Sequence, residues 1–569
     1  MTRWGGVFKS RDWFYILPVL VLAMALGLTG FLTCKVSDCQ THSIGEALFR
    51  TADLIRGSGH FSFGRDPWEL VIAQLLMPLA FAVGAVKLVI QNMRRDLKLV
   101  MVRRMRGHAI VCGTGDTGYH IATHLAGTGQ AVVMIALDNQ APNALACERR
   151  GIPVLQGDAM ETSLLRMAGL PHAAALYITC GSDATNIEIG LRALAASARR
   201  KASGALVIMP ELRNEWLYNL VQTHRAALTA TDHAHFRLFN LNANAARLLL
   251  RSEGFARAAA QQQSHPHLVL AGKGQTLIEI LAQATLCNFA APGRRLSATL
   301  MGGDNAAVLE TIERRYPGIA GAADIALHDN DFTGRPAWDR IARLLTETPP
   351  FAVVADLEDE EATMKAALEF RRLLDAAGHF AVPVFARVWR QHRLGAFIQG
   401  MEATAEESER LGFFGDLASL TAPDQLLQQS LDLMAEATHK IHRDNGQSAE
   451  PEWIALAEMY KQSSRAFADH IPAKLEQVGL RLVPGKNMVT LDEAEIEALA
   501  KAEHWRWCVE TRVLGWRYDA VRDDMRKHHP LLLDWAALPE TAREANRKMV
   551  RNIPSIADGA GLALQRPQA

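Results

Sequence analysis

Residues 108–138 read HAIVCGTGDTGYHIATHLAGTGQAVVMIALD, and few folds accommodate that order. An apolar run ends at Cys112, three glycines follow at Gly113, Gly115 and Gly118, a helical pattern comes next, and a second apolar run closes at Asp138. The reading is strand, glycine turn, helix, strand. The glycines are expected to serve three different purposes. Gly113 permits a tight turn, Gly115 lets the backbone approach a pyrophosphate, and Gly118 lets the helix lie close to the sheet. Amides at the helix start, at Thr114, Asp116 and Thr117, would hold phosphates, and Asp138 lies at the distance where an acid meets a ribose hydroxyl. The bland alternative is that the glycines serve packing alone.

The alternation continues beyond Asp138. Residues 152–155 (IPVL) predict a third strand leading to Asp158, 174–179 (AALYIT) a fourth, 205–209 (ALVIM) a fifth and 236–239 (FRLF) a sixth, with Asp183 as the cap of the helix after the fourth. Strands separated by helical stretches require a parallel, doubly wound α/β sheet of Rossmann type, here 108–254. Its crevice would gather Gly113, Thr114, Gly115, Asp116, Thr117, Gly118, Asp138, Asp158, Thr179, Gly181 and Asp183. The ligand implied is NAD(H) or an adenine nucleotide. No acid, base or nucleophile constellation stands beside it, so an enzyme is the weaker expectation, and His120 reads as a surface or packing residue.

Residues 265–422 repeat the pattern. HLVLA at 267–271 is followed by Gly272-Lys273-Gly274, and further strands are expected at 297–300, 323–327, 351–356 and 381–385. Leu277 stands where the third glycine would be, which predicts a degenerate second Rossmann domain that is structural, or that uses Lys273 for an anion.

The formal net charge is zero, which gives no field for nucleic acid. The average conceals the first hundred residues. Residues 13–34 hold no charge up to Thr33, enough for a bilayer crossing of about 20 residues, and 68–90 form a second apolar segment with Lys87 near its end. A cleaved signal peptide is the rival reading of the first. Basic residues before the first segment and in 91–107 place both flanks, including residues 1–12, in the cytoplasm of a bacterial inner-membrane protein and leave 35–67 outside. There Cys34 and Cys39 are free to form a disulfide or to stay apart. The other five cysteines lie in no metal-binding spacing, and no metal is expected. Within 35–67, Ser43 and Glu46 predict a helix start, and 55–59 (IRGSG) form a glycine loop before the second span.

Span, short helix, glycine loop, span and a basic linker into a Rossmann strand resembles two-span potassium channels joined to a regulator-of-conductance (RCK, or TrkA-N) domain. The resemblance covers about residues 13–254 and implies a homotetramer with loops meeting on an axis, and a nucleotide site that biases the pore. The family's filter Thr-Val-Gly-Tyr-Gly is here Ile55, Arg56, Gly57, Ser58 and Gly59, so potassium selectivity does not carry over, and four copies of Arg56 would oppose cations. An anchor of two helices without conduction is the alternative.

Beyond about residue 423 the strand signals stop, and helices are expected at 426–442, 453–469 and 491–513. Glu503-His504-Trp505-Arg506-Trp507, Gly515-Trp516-Arg517-Tyr518, Arg522, His529-Pro530 and Ile553-Pro554 then fall in the order of the RyR domain, the repeat named after ryanodine receptors, over about 452–566. The residue types suit a clasp for a nucleobase or phosphate: Glu503, Arg506, Trp507, Trp516, Arg517, Tyr518 and Arg522. Equally, the tryptophans could be core, with Glu503 and Arg506 a satisfied pair. The combined expectation is a ligand-gated channel with tandem Rossmann domains and a mainly helical end, or a membrane-anchored nucleotide sensor that recruits a partner.

Overall fold

A computed structural model describes the chain except for residues 1–12, 37–38, 42, 58, 199–203, 214–216, 218–232, 263–264, 292, 330–331, 358, 390–409, 423–424, 426–429, 445–451, 454–455, 457, 487–488 and 567–569. It forms two compact units, Met1–Arg104 and Met105–Ala569.

In the first unit, α1 (Trp13–Thr33) and α3 (Trp68–Arg104) pack side by side, with α2 (Ile44–Asp53) against α1. The Ser43 hydroxyl accepts from the Glu46 N–H at 3.1 Å, the helix start expected from that pair. Trp68–Val86 is long and apolar enough to cross a membrane, and Leu17–Thr33 is a shorter apolar helix. The basic linker is not a separate segment: α3 runs on through it as one helix of 37 residues. Cys34 and Cys39 are bonded, with Cα atoms 5.9 Å apart. The return loop is held by Gln74 of α3, whose amide oxygen accepts from the Phe61 N–H at 2.8 Å while its amide nitrogen donates to the Phe61 carbonyl.

The second unit contains two six-stranded parallel sheets. The first has the order β3-β2-β1-β4-β5-β6, with β1 Ala109–Cys112, β2 Val132–Ala136, β3 Val154–Gln156, β4 Ala175–Ile178, β5 Leu206–Pro210 and β6 Ala234–Phe236. Strands β1, β2 and β4 are buried along their whole length, as a sheet covered by helices on both faces requires, and Val111 sits between Met134 and Tyr177. The sixth strand lies earlier than the expected 236–239. The second sheet has β7 His267–Gly272, β8 Leu296–Gly302, β9 Ala323–Asp329, β10 Ala352–Asp356, β11 Val384–Arg387 and β12 Leu411–Phe414, in the order β12-β11-β10-β7-β8-β9. Read from its other edge this is the same topology, so the internal repeat extends to strand order, and β12 is a strand the sequence pattern missed.

The C-terminal part is mainly helical, as expected, but four short strands interrupt it: Arg481–Pro484 pairs with Leu562–Gln565, and Arg517–Tyr518 with His528–His529. Its helices are Leu433–Asp444, Glu458–Glu476, Glu493–Val513, Glu540–Arg551 and Ile553–Gly559. The start of the first, expected at 426, falls on residues outside the described ones, and the second is shifted toward the C-terminus. Asp492 and Glu495 form a reciprocal capping box at the third, which fixes where it begins. One continuous core runs from Val111 and Ile121 through Phe255 and Leu281 to Val509. A buried ionic knot ties the same layers: Arg247 bonds Asp469 and Asp432, each at 2.6 Å, and Arg465 also reaches Asp432. Burial opposes ionisation of Asp432, but Arg465 and Arg247 hold its carboxyl well below the ordinary range.

Candidate functional site

The first sheet opens at the carboxyl ends of β1 and β4 into a cleft of about 820 Å³. Gly113 stands at φ +106°, and a Cβ there would sit 2.6 Å from the Thr179 carbonyl oxygen. At Gly118, in the first turn of α4 (Asp116–Gly127), a Cβ would strike the Gly113 carbonyl and come within 2.8 Å of Thr179 Oγ1. At Gly115 it would meet nothing within 4 Å. The three glycines therefore differ as the sequence predicts: one makes the turn, one lets helix touch strand, and one leaves room for a ligand. Gly115 is the N-cap of α4 and supplies no side-chain cap, a helix start of the kind that suits an anion.

Side-chain clips fix this mouth. Asn143 donates to the Thr114 carbonyl at 3.1 Å and to Asp116 Oδ1 at 3.2 Å. Asn186 accepts from the Cys180 N–H at 2.8 Å and donates to the Glu211 carbonyl at 2.9 Å, tying the end of β4 to the end of β5. Glu211 is 2% exposed; burial pushes its carboxyl up, against the pull of Arg213, whose Nε lies 3.1 Å away. Burial also raises the Cys180 thiol to about 11, with Asp158 adding to the effect, so it is no thiolate nucleophile.

Of the expected ligand residues, Gly113, Thr114, Gly115, Asp116, Thr117, Asp158, Thr179 and Gly181 line the cleft, and Gly118 lies beneath it. Asp138 is exposed and outside this lining; its carboxylate accepts from the Gln140 N–H at 2.9 Å and so caps its own turn. Asp183 is also outside the lining and is not the helix cap. Ser182 holds that position, and Asp183 accepts from the Arg213 N–H at 2.9 Å. His120 packs against Tyr119 and His124, and burial lowers its pKa. Sequence reasoning missed Arg213, and it missed Asp359, Glu360, Trp389 and Leu417, which reach this cleft from the second domain and its neighbouring turn.

The corresponding place in the second domain is narrowed by a side chain of its own. A Cβ at Gly274 would collide with the Asp356 carboxylate, and the Lys273 and Gly274 N–H groups both donate to the Asp356 carbonyl at 3.2 Å. Asp356 is buried and paired with Arg387 at 3.0 Å. A carboxylate thus stands beside the glycine turn, while Lys273, Gly274 and Gln275 still border a cavity of about 360 Å³.

In the C-terminal part, Glu503, Arg506 and Glu510 share one face of Glu493–Val513 and are all buried. Arg506 bonds Glu503 at 2.8 Å and Glu510 at 2.7 Å, and Lys474 also pairs with Glu503. Burial opposes the Glu503 charge, yet Arg506 and Lys474 hold its carboxyl down to about 2, whereas burial draws the Lys474 ammonium down to about 8. This network floors a hollow of about 460 Å³ bounded by Trp507, His504, Tyr460, Asn546 and Arg522. Trp507 meets His529 edge-on, with ring centroids 4.9 Å apart. Four of the seven expected ligand residues are therefore at the hollow, two of them already saturated. Trp516 packs on His529 outside it, and Arg517 and Tyr518 lie exposed on their short strand.

In the first unit, Ile55 and Arg56 belong to a 3-10 turn, Leu54–Arg56, closed by the Gly57 N–H on the Leu54 carbonyl at 2.9 Å. Arg56 is solvent-facing and pairs with Asp53 at 3.3 Å. Gly59 abuts Phe61 and Leu54. Ser58 lies outside the described residues.

The class this geometry defines is a tandem doubly wound α/β protein with a wide cleft at the first glycine turn and a narrower one, bordered by Asp356, at the second. Comparison agrees at two places: residues 109–208 match the TrkA-N domain model and residues 487–565 the RyR domain model. An uncharacterized protein of Methanothermus fervidus is 25% identical over 189 residues, 33% of this chain and 27% of that relative. Among solved structures, the GsuK channel aligns at 12% identity over 74% of this chain and 84% of its own, with a TM-score of 0.42. GsuK bound to ADP aligns at 13% identity over 73% and 97%, with a TM-score of 0.35.

Proposed function

We propose that this chain is a membrane-embedded, ligand-gated channel protein whose first α/β domain senses an adenine nucleotide or NAD(H), acting as a homotetramer and as a regulator rather than an enzyme. The observation that carries the reading is the open cleft with its three glycines in three different geometries, in a domain that matches TrkA-N. Four residues separate α3 from β1, and one of them, Gly107, donates to the His172 carbonyl at 2.8 Å. Any ligand-dependent shift of the first domain would therefore pull on a helix apolar enough to cross a bilayer. The shift can be no larger than the difference in ligand affinity between the two states, about 1.4 kcal/mol per tenfold. The hollow at Trp507 is the second candidate site, sized for a nucleobase.

A second reading is favoured by the 3-10 turn at Leu54–Arg56. A turn closed on its own carbonyl and bearing an exposed guanidinium suits a non-conducting membrane anchor that relays nucleotide binding to a partner. Reconstitution of the full chain in planar bilayers decides between them. Current that depends on NAD⁺ or ADP supports the channel. Intact binding without current leaves the anchored sensor, and absence of binding refutes both.

A further inference from the structure

The first cleft is not completed by its own domain. It is walled as well by Asp359 and Glu360, around the start of helix Glu360–Ala376, and by Trp389 beyond β11, which shares a neighbouring cavity with Arg213. Trp389 is held in place: its N–H donates to Glu360 Oε1 at 2.5 Å, and the Arg387 guanidinium covers one face of the ring, 4.3 Å from its centroid. Among the described lining residues, Asp116, Asp158, Asp359 and Glu360 stand against Arg213 alone, a formal balance of one minus four, or −3.

That balance is unexpected for a nucleotide cleft. Phosphates are served by the glycine turn and the start of α4, whereas the second half of a dinucleotide extends toward β4. Toward the second domain the cleft presents an indole and two carboxylates; Arg213 is already paired with Glu211, and Arg387 lies over one face of the indole. An aromatic face beside negative charge favours a flat cationic ring, and carboxylates accept from sugar hydroxyls.

We propose that Trp389, Asp359 and Glu360 of the second domain form a selectivity pocket for the pyridinium end of an oxidised dinucleotide. The cleft then distinguishes NAD⁺ from the reduced form, whose ring is neutral, and from ligands that lack the ring. The second domain, whose own glycine turn faces the Asp356 carboxylate, acts as a wall of the first domain's site. The inference rests on the reading that the first cleft binds nucleotide.

The test is calorimetric titration of the full-length protein with NAD⁺, NADH and ADP-ribose. The expected result is NAD⁺ binding about tenfold more tightly than either of the others, the scale of a partly desolvated cation–π contact. Trp389→Leu should bring NAD⁺ to the level of ADP-ribose, and Trp389→Phe should retain most of the preference. Asp359→Asn should narrow it by about threefold. Equal affinities for the three ligands in the unmodified protein, or an undiminished preference in Trp389→Leu, overturn the proposal. Failure of Gly115→Asp to weaken any of the three would instead overturn the underlying assignment of the cleft.

Discussion

Replacing Gly115 by aspartate separates binding from folding more cleanly than any other change in this chain. A Cβ at Gly115 meets no atom within 4 Å, and the backbone there, at φ −63° and ψ 173°, is one that any residue adopts. Gly115 is the N-cap of α4, where aspartate is among the preferred residues, so the melting temperature should move by no more than about 2 °C. The new carboxylate would take the amides that a phosphate needs and stand roughly 4 Å from that phosphate. At an effective dielectric constant near 20 the repulsion is about 4 kcal/mol, and in an open cleft about half survives screening. The expected loss is therefore about 30-fold to 1,000-fold in affinity for NAD⁺ or ADP, read by calorimetry beside a thermal melt of the same preparation. Gly115→Ala, without charge, should lose far less. Undiminished affinity in a folded Gly115→Asp protein would place the ligand elsewhere, and the hollow at Trp507 would be the next site to test.

Gly118→Ala should do the reverse, lowering the melting temperature and binding together, because its methyl group would drive α4 away from Gly113 and Thr179. Arg506→Met leaves Glu503 and Glu510 buried without their guanidinium and should cost about 3 to 5 kcal/mol, visible as an earlier thermal transition. Asp356→Asn should destabilise the second domain by uncovering buried Arg387, yet titration should still give one nucleotide per chain from the two α/β domains. For acid, Glu503 is held at about 2 against an ordinary 4.5. The unfolded chain takes up that proton first, so the contribution is complete above pH 4.5 and is lost as pH falls to about 2. Lys474, lowered to about 8 from 10.5, adds stability as pH rises through that interval. Melts across both windows check the two signs.

Much of the architecture was legible because it rests on local rules. The glycine positions at 113, 115 and 118, the alternation of apolar runs with helical stretches and the helix start at Ser43 and Glu46 each specify geometry within a few residues of chain. Strand β12 escaped because Leu411–Phe414 is short, carries Gly412 within it and lies far along the chain from β11. Asp138 sits at the right distance in sequence, but its turn folds the carboxylate back onto Gln140, a choice made by backbone conformation. Trp389, Asp359 and Glu360 reach the first cleft through the packing of one domain on another, which no spacing in the chain encodes. Glu503 and Arg506 look alike as clasp or as core until burial is known, and burial decides for both. The first unit follows the same division. Apolar length is readable, whereas the 3-10 turn at Leu54–Arg56 arises from those residues continuing a helix.

The carboxylate of Asp356 makes the two halves of the duplication unequal in a useful way. If the first cleft takes nucleotide as proposed, the half that holds Asp356 at its glycine turn would keep a fixed negative charge there and serve as an unchanging reference for a twin that is alternately empty and full. Strain between the twins would then be zero in one condition and finite in the other, so a pair of near-identical folds needs only one titratable half to act as a differential gauge.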